Sequence, residues 1–225
     1  MSNPISVSAE PDTFSFDKET TAIILIDMQR DFMEPAGFGE SLGNDVSQLR
    51  KSIEPNQKLL SAARALNIKI IHTREGHRPD LNDVHPEKQA RCASGKKIGD
   101  VGPMGRILVR GEAGHDFIPE LYPLEGESII DKPGKGAFYS TDLDLMLRKS
   151  GIDTLIICGV TTEVCVHTTV REANDRGYKV LVPDECCASY FEEFHTTGLK
   201  MISAQGGIFG YVCKANDLID SLKEY

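Results

Sequence analysis

The chain has no cluster of basic residues and no stretch of about 20 uninterrupted apolar residues, which removes the usual footprints of nucleic-acid binding and of a membrane span. Lys and Arg number 25 against 34 Asp and Glu, a formal charge of -9 that repels phosphate backbones. The opening residues MSNPISVSAEPDTFSF lack the basic and apolar segments of a secretory leader, so the sequence points to a cytoplasmic, soluble protein. There is no internal repeat, low-complexity tract or linker. The six cysteines include no C-x-x-C and no paired Cys/His spacing of a zinc site. A chain of 225 residues builds its own core without a disulfide framework, so free thiols are expected. Adjacent Cys186 and Cys187 read as small buried apolar side chains.

What is present is a single domain, 1–225, in which strand and helix patterns alternate. Thr21 to Asp27 is a short run of apolar, largely branched residues ending in a carboxylate, the pattern of a buried parallel strand. Ile53 to Leu66 carries Leu59, Leu60, Ala63 and Leu66 at helical spacing, and Ile68 to Thr73 returns to strand character. Residues 74–127 mix Gly, Pro and charge without a long periodic segment and read as a functional excursion; residues 1–20 read as an N-terminal extension. Strands are expected at Ser128 to Asp131, Thr154 to Gly159, Lys179 to Val182 and Gly206 to Phe209. Helices are expected over Asp142 to Ser150, opened by a Thr141/Asp144 capping box, and over Glu163 to Arg176, Glu192 to Ala204 and Ala215 to Glu224. This alternation specifies an α/β fold, a doubly wound, mostly parallel sheet with helices on both faces.

Ligands of such sheets sit at the carboxyl ends of the strands, and three reactive side chains fall there. Asp27 ends the first strand, Lys132 follows a later one, and Cys165 lies in the first turns of a helix. A helix start and a nearby ammonium group both favour a thiolate. Each residue alone has a bland reading: a turn-capping carboxylate, a solvated lysine, a buried inert thiol. Together a nucleophile, a base and a cation are what acyl transfer by a thiol requires.

Three segments carry a resemblance. They are Ile26-Asp27-Met28-Gln29-Arg30-Asp31-Phe32, Lys132-Pro133-Gly134-Lys135-Gly136-Ala137-Phe138, and Gly159-Val160-Thr161-Thr162-Glu163-Val164-Cys165-Val166. In kind and order they resemble the signatures of the isochorismatase-like cysteine hydrolases, over about Thr21 to Phe209. The resemblance implies a catalytic triad of Asp27, Lys132 and Cys165, and an oxyanion turn at Val160 and Thr161 with a cis peptide between them. HTREGHRPDL, GRILVRGE, IPELYP, REANDRGY and QGGIFG are most similar to hydrolases of biuret, triuret and related ureido compounds. That likeness implies substrate contacts from Lys135 and Gln205, with Phe32 and Phe138 as candidate apolar walls. Also implied are a homotetramer, ammonia as a product, and a role in nitrogen metabolism. The D-x-H metal pattern of the family's nicotinamidases is not reproduced in His72-Thr73-Arg74-Glu75-Gly76-His77, so no metal or cofactor is implied and both histidines read as packing or hydrogen-bonding residues. A related amidase acting on N-carbamoylsarcosine, ureidoacrylate or nicotinamide, or a silent binding protein of the same fold, remain as alternative readings.

Overall fold

The apolar run after Thr20 forms strand β1 (Thr21–Ile26), with every residue buried. Five more strands lie parallel around it: β2 (Lys69–Glu75), β3 (Ser128–Lys132), β4 (Thr154–Val160), β5 (Lys179–Pro183) and β6 (Tyr211–Cys213). Their order across the sheet is β3-β2-β1-β4-β5-β6. The chain therefore winds one way from β1 to β3 and the other way from β4 to β6, and the crevice for a ligand opens where the direction reverses, between β1 and β4. Both strands at this switch point are buried along their whole length, as strands covered on both faces must be. The computed structural model describes residues 4–91 and 95–225, so Cys92 and part of the excursion lie outside the described residues.

Helices α1 (Ile53–Ala65), α2 (Leu143–Lys149), α3 (His167–Asp175), α4 (Glu192–Gly207) and α5 (Ala215–Glu224) complete a three-layer α/β architecture. The apolar spacing read in the sequence places Ile53, Leu59, Leu60 and Ala63 of α1 and Leu218, Ile219 and Leu222 of α5 in one apolar core, and the two helices pack on each other. No helix among the described residues is long and apolar enough to cross a membrane.

Three expectations need correction. The segment at 206–209 is not a strand: Gln205, Gly206 and Gly207 have φ of +53°, +76° and +81°, a left-handed series that no strand accommodates, and the last strand forms at Tyr211–Cys213 instead. Thr141 and Asp144 make no capping box. The N-cap is Asp142, the Thr141 hydroxyl donates to the Ala137 carbonyl at 2.6 Å, and Asp144 accepts from the Tyr178 hydroxyl at 2.8 Å. The helix expected from Glu163 begins as a π-helical turn, Thr162–Val166, before α3 proper. Within the N-terminal extension, Ile5–Val7 and Phe14–Phe16 form a hairpin, and Ala9–Glu10 pairs antiparallel with β6 at the sheet edge.

Candidate active site

Asp27, the residue after β1, adopts φ +51°, a left-handed turn that breaks the strand and releases its side chain at the carboxyl edge. The Thr73 hydroxyl of β2 donates to Asp27 Oδ1 at 2.6 Å. Lys132, the last residue of β3, places Nζ 2.7 Å from Asp27 Oδ2, and both side chains are wholly buried. The same ammonium donates to the carbonyls of Gly134 (3.1 Å) and Lys135 (2.9 Å), so one lysine ties the 133–136 loop to Asp27. Two buried charges survive only in such a paired and hydrogen-bonded arrangement. Burial acts to lower the Lys132 ammonium, but Asp27, Cys165 and Glu75 outweigh it and hold its pKa above the usual lysine range.

The nucleophile candidate is reached through an irregular turn. The peptide between Val160 and Thr161 is cis, as the resemblance implies. The Val166 N–H then reaches back to the Thr161 carbonyl at 3.3 Å, an i to i+5 bond. This widened turn carries Cys165, whose carbonyl accepts from the Thr169 hydroxyl at 2.7 Å. Burial pushes the Cys165 thiol well above its usual range; Asp27 and Glu75 add to that, while Lys132 and Lys135 pull it down. Loss of solvent around the sulfur thus acts against the pull of the helix start and of the lysine cations.

Sequence reasoning missed Glu75. It ends β2, is buried, and its Oε2 lies 3.5 Å from Cys165 Sγ. Lys135 reaches it with Nζ at 2.8 Å from Oε1 and 3.0 Å from Oε2, and Lys88 approaches Oε1 at 2.7 Å. Burial works to raise this carboxyl, yet Lys135, Lys132 and Lys88 together hold it far below the usual range. Gln29 fixes its backbone: the Glu75 N–H donates to Gln29 Oε1 at 2.7 Å and Gln29 Nε2 donates to the Glu75 carbonyl at 3.0 Å. The signal that could have found it is position, since Glu75 is a carboxylate at a strand end just as Asp27 is; the apolar pattern of the strand stops two residues short, at Thr73.

Asp27, Glu75 and Cys165 each offer a donor atom, all within 4.8 Å of one another, a distance a metal ion could bridge. The charges oppose that use. Each carboxylate already faces a lysine ammonium at 2.7 or 2.8 Å, so a divalent cation would enter a site occupied by positive charge.

The remaining candidates divide. Lys135 joins the cluster through Glu75. Phe32 is half-buried against the core, and its carbonyl accepts from the Tyr190 hydroxyl at 2.7 Å. The Phe138 ring packs on Tyr178 at 5.8 Å with the Arg176 guanidinium above it, at the far end of α3 from Cys165. Of these neighbours Tyr178 is buried and Arg176 is exposed. Gln205 is exposed on the turn that closes α4, and among the described residues no hydrogen bond or ion pair joins it to the cluster. His72 Nε2 lies 2.8 Å from Glu127 Oε2, and buried His77 lies 3.3 Å from Asp83. All five described cysteines are free and buried.

The model of the isochorismatase domain matches residues 21–217, and the chain belongs to the isochorismatase family. It is similar to ureidoacrylate amidohydrolase RutB of Methylorubrum extorquens, 31% identical over 180 residues that cover 77% of this chain and 72% of the relative. The likeness to RutB of Acinetobacter baylyi is 28% over 224 residues, 96% of this chain and 89% of the relative. A cysteine hydrolase from Pseudomonas syringae pv. phaseolicola shares the structure with a TM-score of 0.80 at 29% identity, covering 100% of this chain and 99% of the other.

Proposed function

We propose that this protein is a cysteine amidohydrolase that cleaves a C–N bond of a small ureido compound and releases ammonia. The observation that carries the reading is the buried Asp27–Lys132 pair at 2.7 Å, set beside Cys165 at the switch point of the sheet. A thiol, a carboxylate within 4.8 Å and a fixed cation meet the needs of thiol acyl transfer.

Because burial disfavours a free thiolate, attack and deprotonation are coupled. Asp27 accepts the Cys165 proton as sulfur bonds to the carbonyl carbon, and the carbonyl oxygen takes the negative charge. Backbone N–H groups of Thr161 and Cys165 hold that oxyanion, each donor worth about 3 kcal/mol of transition-state stabilisation. Collapse expels the amine nitrogen, which takes the proton from Asp27 and leaves as ammonia. Asp27, ionised again, deprotonates a water molecule that attacks the thioester, and the thiolate recovers its proton as the acid product departs. Lys132 keeps its proton throughout and compensates the charge that moves between Asp27 and Cys165.

Biuret or triuret is the substrate suggested by the sequence likeness in the excursion, with Lys135 and Gln205 as donors to the carbonyl oxygens and Phe32 beside the pocket. Gln205 would have to come in from its exposed turn. Ureidoacrylate is the second reading, favoured by the relatives that are 31% identical. The test is ammonia release from biuret, triuret, ureidoacrylate, N-carbamoylsarcosine and nicotinamide under the same conditions. Turnover of one ureido compound at least tenfold above the others names the substrate class, and turnover of nicotinamide alone, or of none, rejects the ureido reading. A tetramer is implied by resemblance; exposed Phe191, at the N-cap of α4, and Phe194 and Met201 on α4 offer apolar surface for association, and sedimentation of the purified chain checks it.

A further inference from the structure

The charges clustered around Cys165, all buried or nearly so but Lys135 at 40% exposure, do not balance while its proton is on. Lys132, Lys135 and Lys88 are three ammonium groups; Asp27 and Glu75 are two carboxylates. The cluster carries one positive charge with the thiol protonated and none once it has ionised. Charge out of water is stable only when compensated, so the third lysine tilts the cluster toward the thiolate. Lys88 is that third lysine, and it comes from outside the strand ends. It sits on the short helix Pro86–Ala90 within the excursion, with its side chain 12% exposed. Its Nζ meets Glu75 Oε1 at 2.7 Å and donates to the Pro133 carbonyl at 2.6 Å. One side chain therefore pins the excursion to both the carboxylate that faces the sulfur and the loop that follows Lys132.

We propose that Lys88 is a positioning residue that acts through Glu75 to make Cys165 ionisable, so that thiol activation requires the excursion to be docked. The inference rests on Cys165 being the nucleophile. The charged groups facing the thiol are Asp27 from the end of β1, Glu75 from β2, Lys132 from β3 and Lys135 from the following loop. Glu75 is the one among them that opposes ionisation without having a proton-transfer role in the mechanism. Its negative field on the sulfur is moderated by Lys135 and Lys88, which share Oε1. Around Lys88 itself stand Glu75, Lys135, Lys132 and His77. Burial pulls the Lys88 ammonium down and Glu75 holds it up, so the two depend on each other.

The experiment is the rate of Cys165 alkylation by iodoacetamide at pH 8, read by mass spectrometry on the peptide containing Cys165, in the full chain without substrate. Below the thiol pKa this rate is proportional to the thiolate fraction. Lys88→Met is expected to slow it about tenfold, one unit of pKa, because Glu75, 3.5 Å from the sulfur, loses one of the two ammonium groups that moderate its charge. Lys88→Arg, which keeps the charge, restores the rate to within about threefold, and Glu75→Gln, which removes the opposing charge, raises it above wild type. A purely structural role gives the opposite sign for Lys88→Met, because a loosened excursion would admit the reagent faster. An unchanged or faster rate in Lys88→Met, or no rescue by arginine, overturns the proposal while leaving the nucleophile reading intact. A wild-type Cys165 that iodoacetamide does not modify overturns both.

Discussion

Breaking the Asp27–Lys132 pair one member at a time should cost far more than removing both together. At 2.7 Å and an effective dielectric of about 20 the attraction is about 6 kcal/mol, opposed by a desolvation cost of several kcal/mol for each ion. The net contribution is small, yet the penalty for orphaning one partner is large. Lys132→Met leaves the Asp27 carboxylate buried with the Thr73 hydroxyl as its remaining donor and also frees the Gly134 and Lys135 carbonyls, a loss of about 3–5 kcal/mol. Asp27→Asn keeps the shape and leaves an uncompensated ammonium, at about 3 kcal/mol. The double variant removes both charges, and its cost should fall short of the sum by about 2–3 kcal/mol. Since the chain has no tryptophan, urea unfolding at pH 7 is followed by far-UV circular dichroism. The pair is buried, so the coupling should persist in ~0.5 M salt, where surface pairs are screened. Additivity within about 0.5 kcal/mol, or a coupling that salt abolishes, would refute the argument.

Other perturbations follow from the same geometry. Gly159, at φ +111° in β4, lies so close to β1 that a Cβ would overlap the Ile26 carbonyl oxygen and sit 2.6 Å from its nitrogen; Gly159→Ala should lower stability by about 2–4 kcal/mol, read as a fall in the urea midpoint. His115 is buried, and burial with the Arg74 charge holds its pKa down to about 4. Its unfolded value near 6.5 is higher, so the unfolded state gains the proton first: stability is full above about pH 6.5 and declines as pH falls toward 4, by up to about 3 kcal/mol. His115→Asn should flatten that part of the stability profile, and an unchanged slope would rule the residue out. Thr162, at the start of the turn that carries Cys165, bonds His195 Nδ1 at 2.7 Å, and His195 Nε2 lies 2.9 Å from Asp184. Thr162→Val should cost about 1–2 kcal/mol and reduce kcat more than it changes KM; equal stability and kcat would show the chain of bonds to be incidental.

The alternation of apolar runs with helical spacing made the fold legible, because β1 and β4 are buried on both faces and have no competing pattern. The convergence of Asp27, Lys132 and Cys165 was legible for the same reason: residues at the carboxyl ends of neighbouring parallel strands are brought together whatever lies between them. Glu75 and Lys88 were not. Glu75 follows Arg74 at the start of a segment rich in charge and looks like solvated surface, and only the sheet register, Glu75 beside Lys132, turns it inward. Lys88 sits in a five-residue helix too short to show a period, and its partner is 13 positions away in sequence. The thiol's ionisation was not legible either, because helix position can be read from sequence whereas burial of the sulfur cannot. The displaced last strand reflects backbone preference: glycines at 206 and 207 with Gln205 take left-handed turns, and the strand starts only after Gly210.

The most direct test of the central claim is to compare wild type with Cys165→Ser on the ureido compound that the panel identifies, following ammonia and, after acid quench, the mass of the Cys165 peptide. The account expects a covalent acyl adduct on that peptide in the wild type, with ammonia release falling ~10³-fold or more in the serine variant. A serine variant within tenfold of wild type, or turnover with the adduct on another residue, would contradict it.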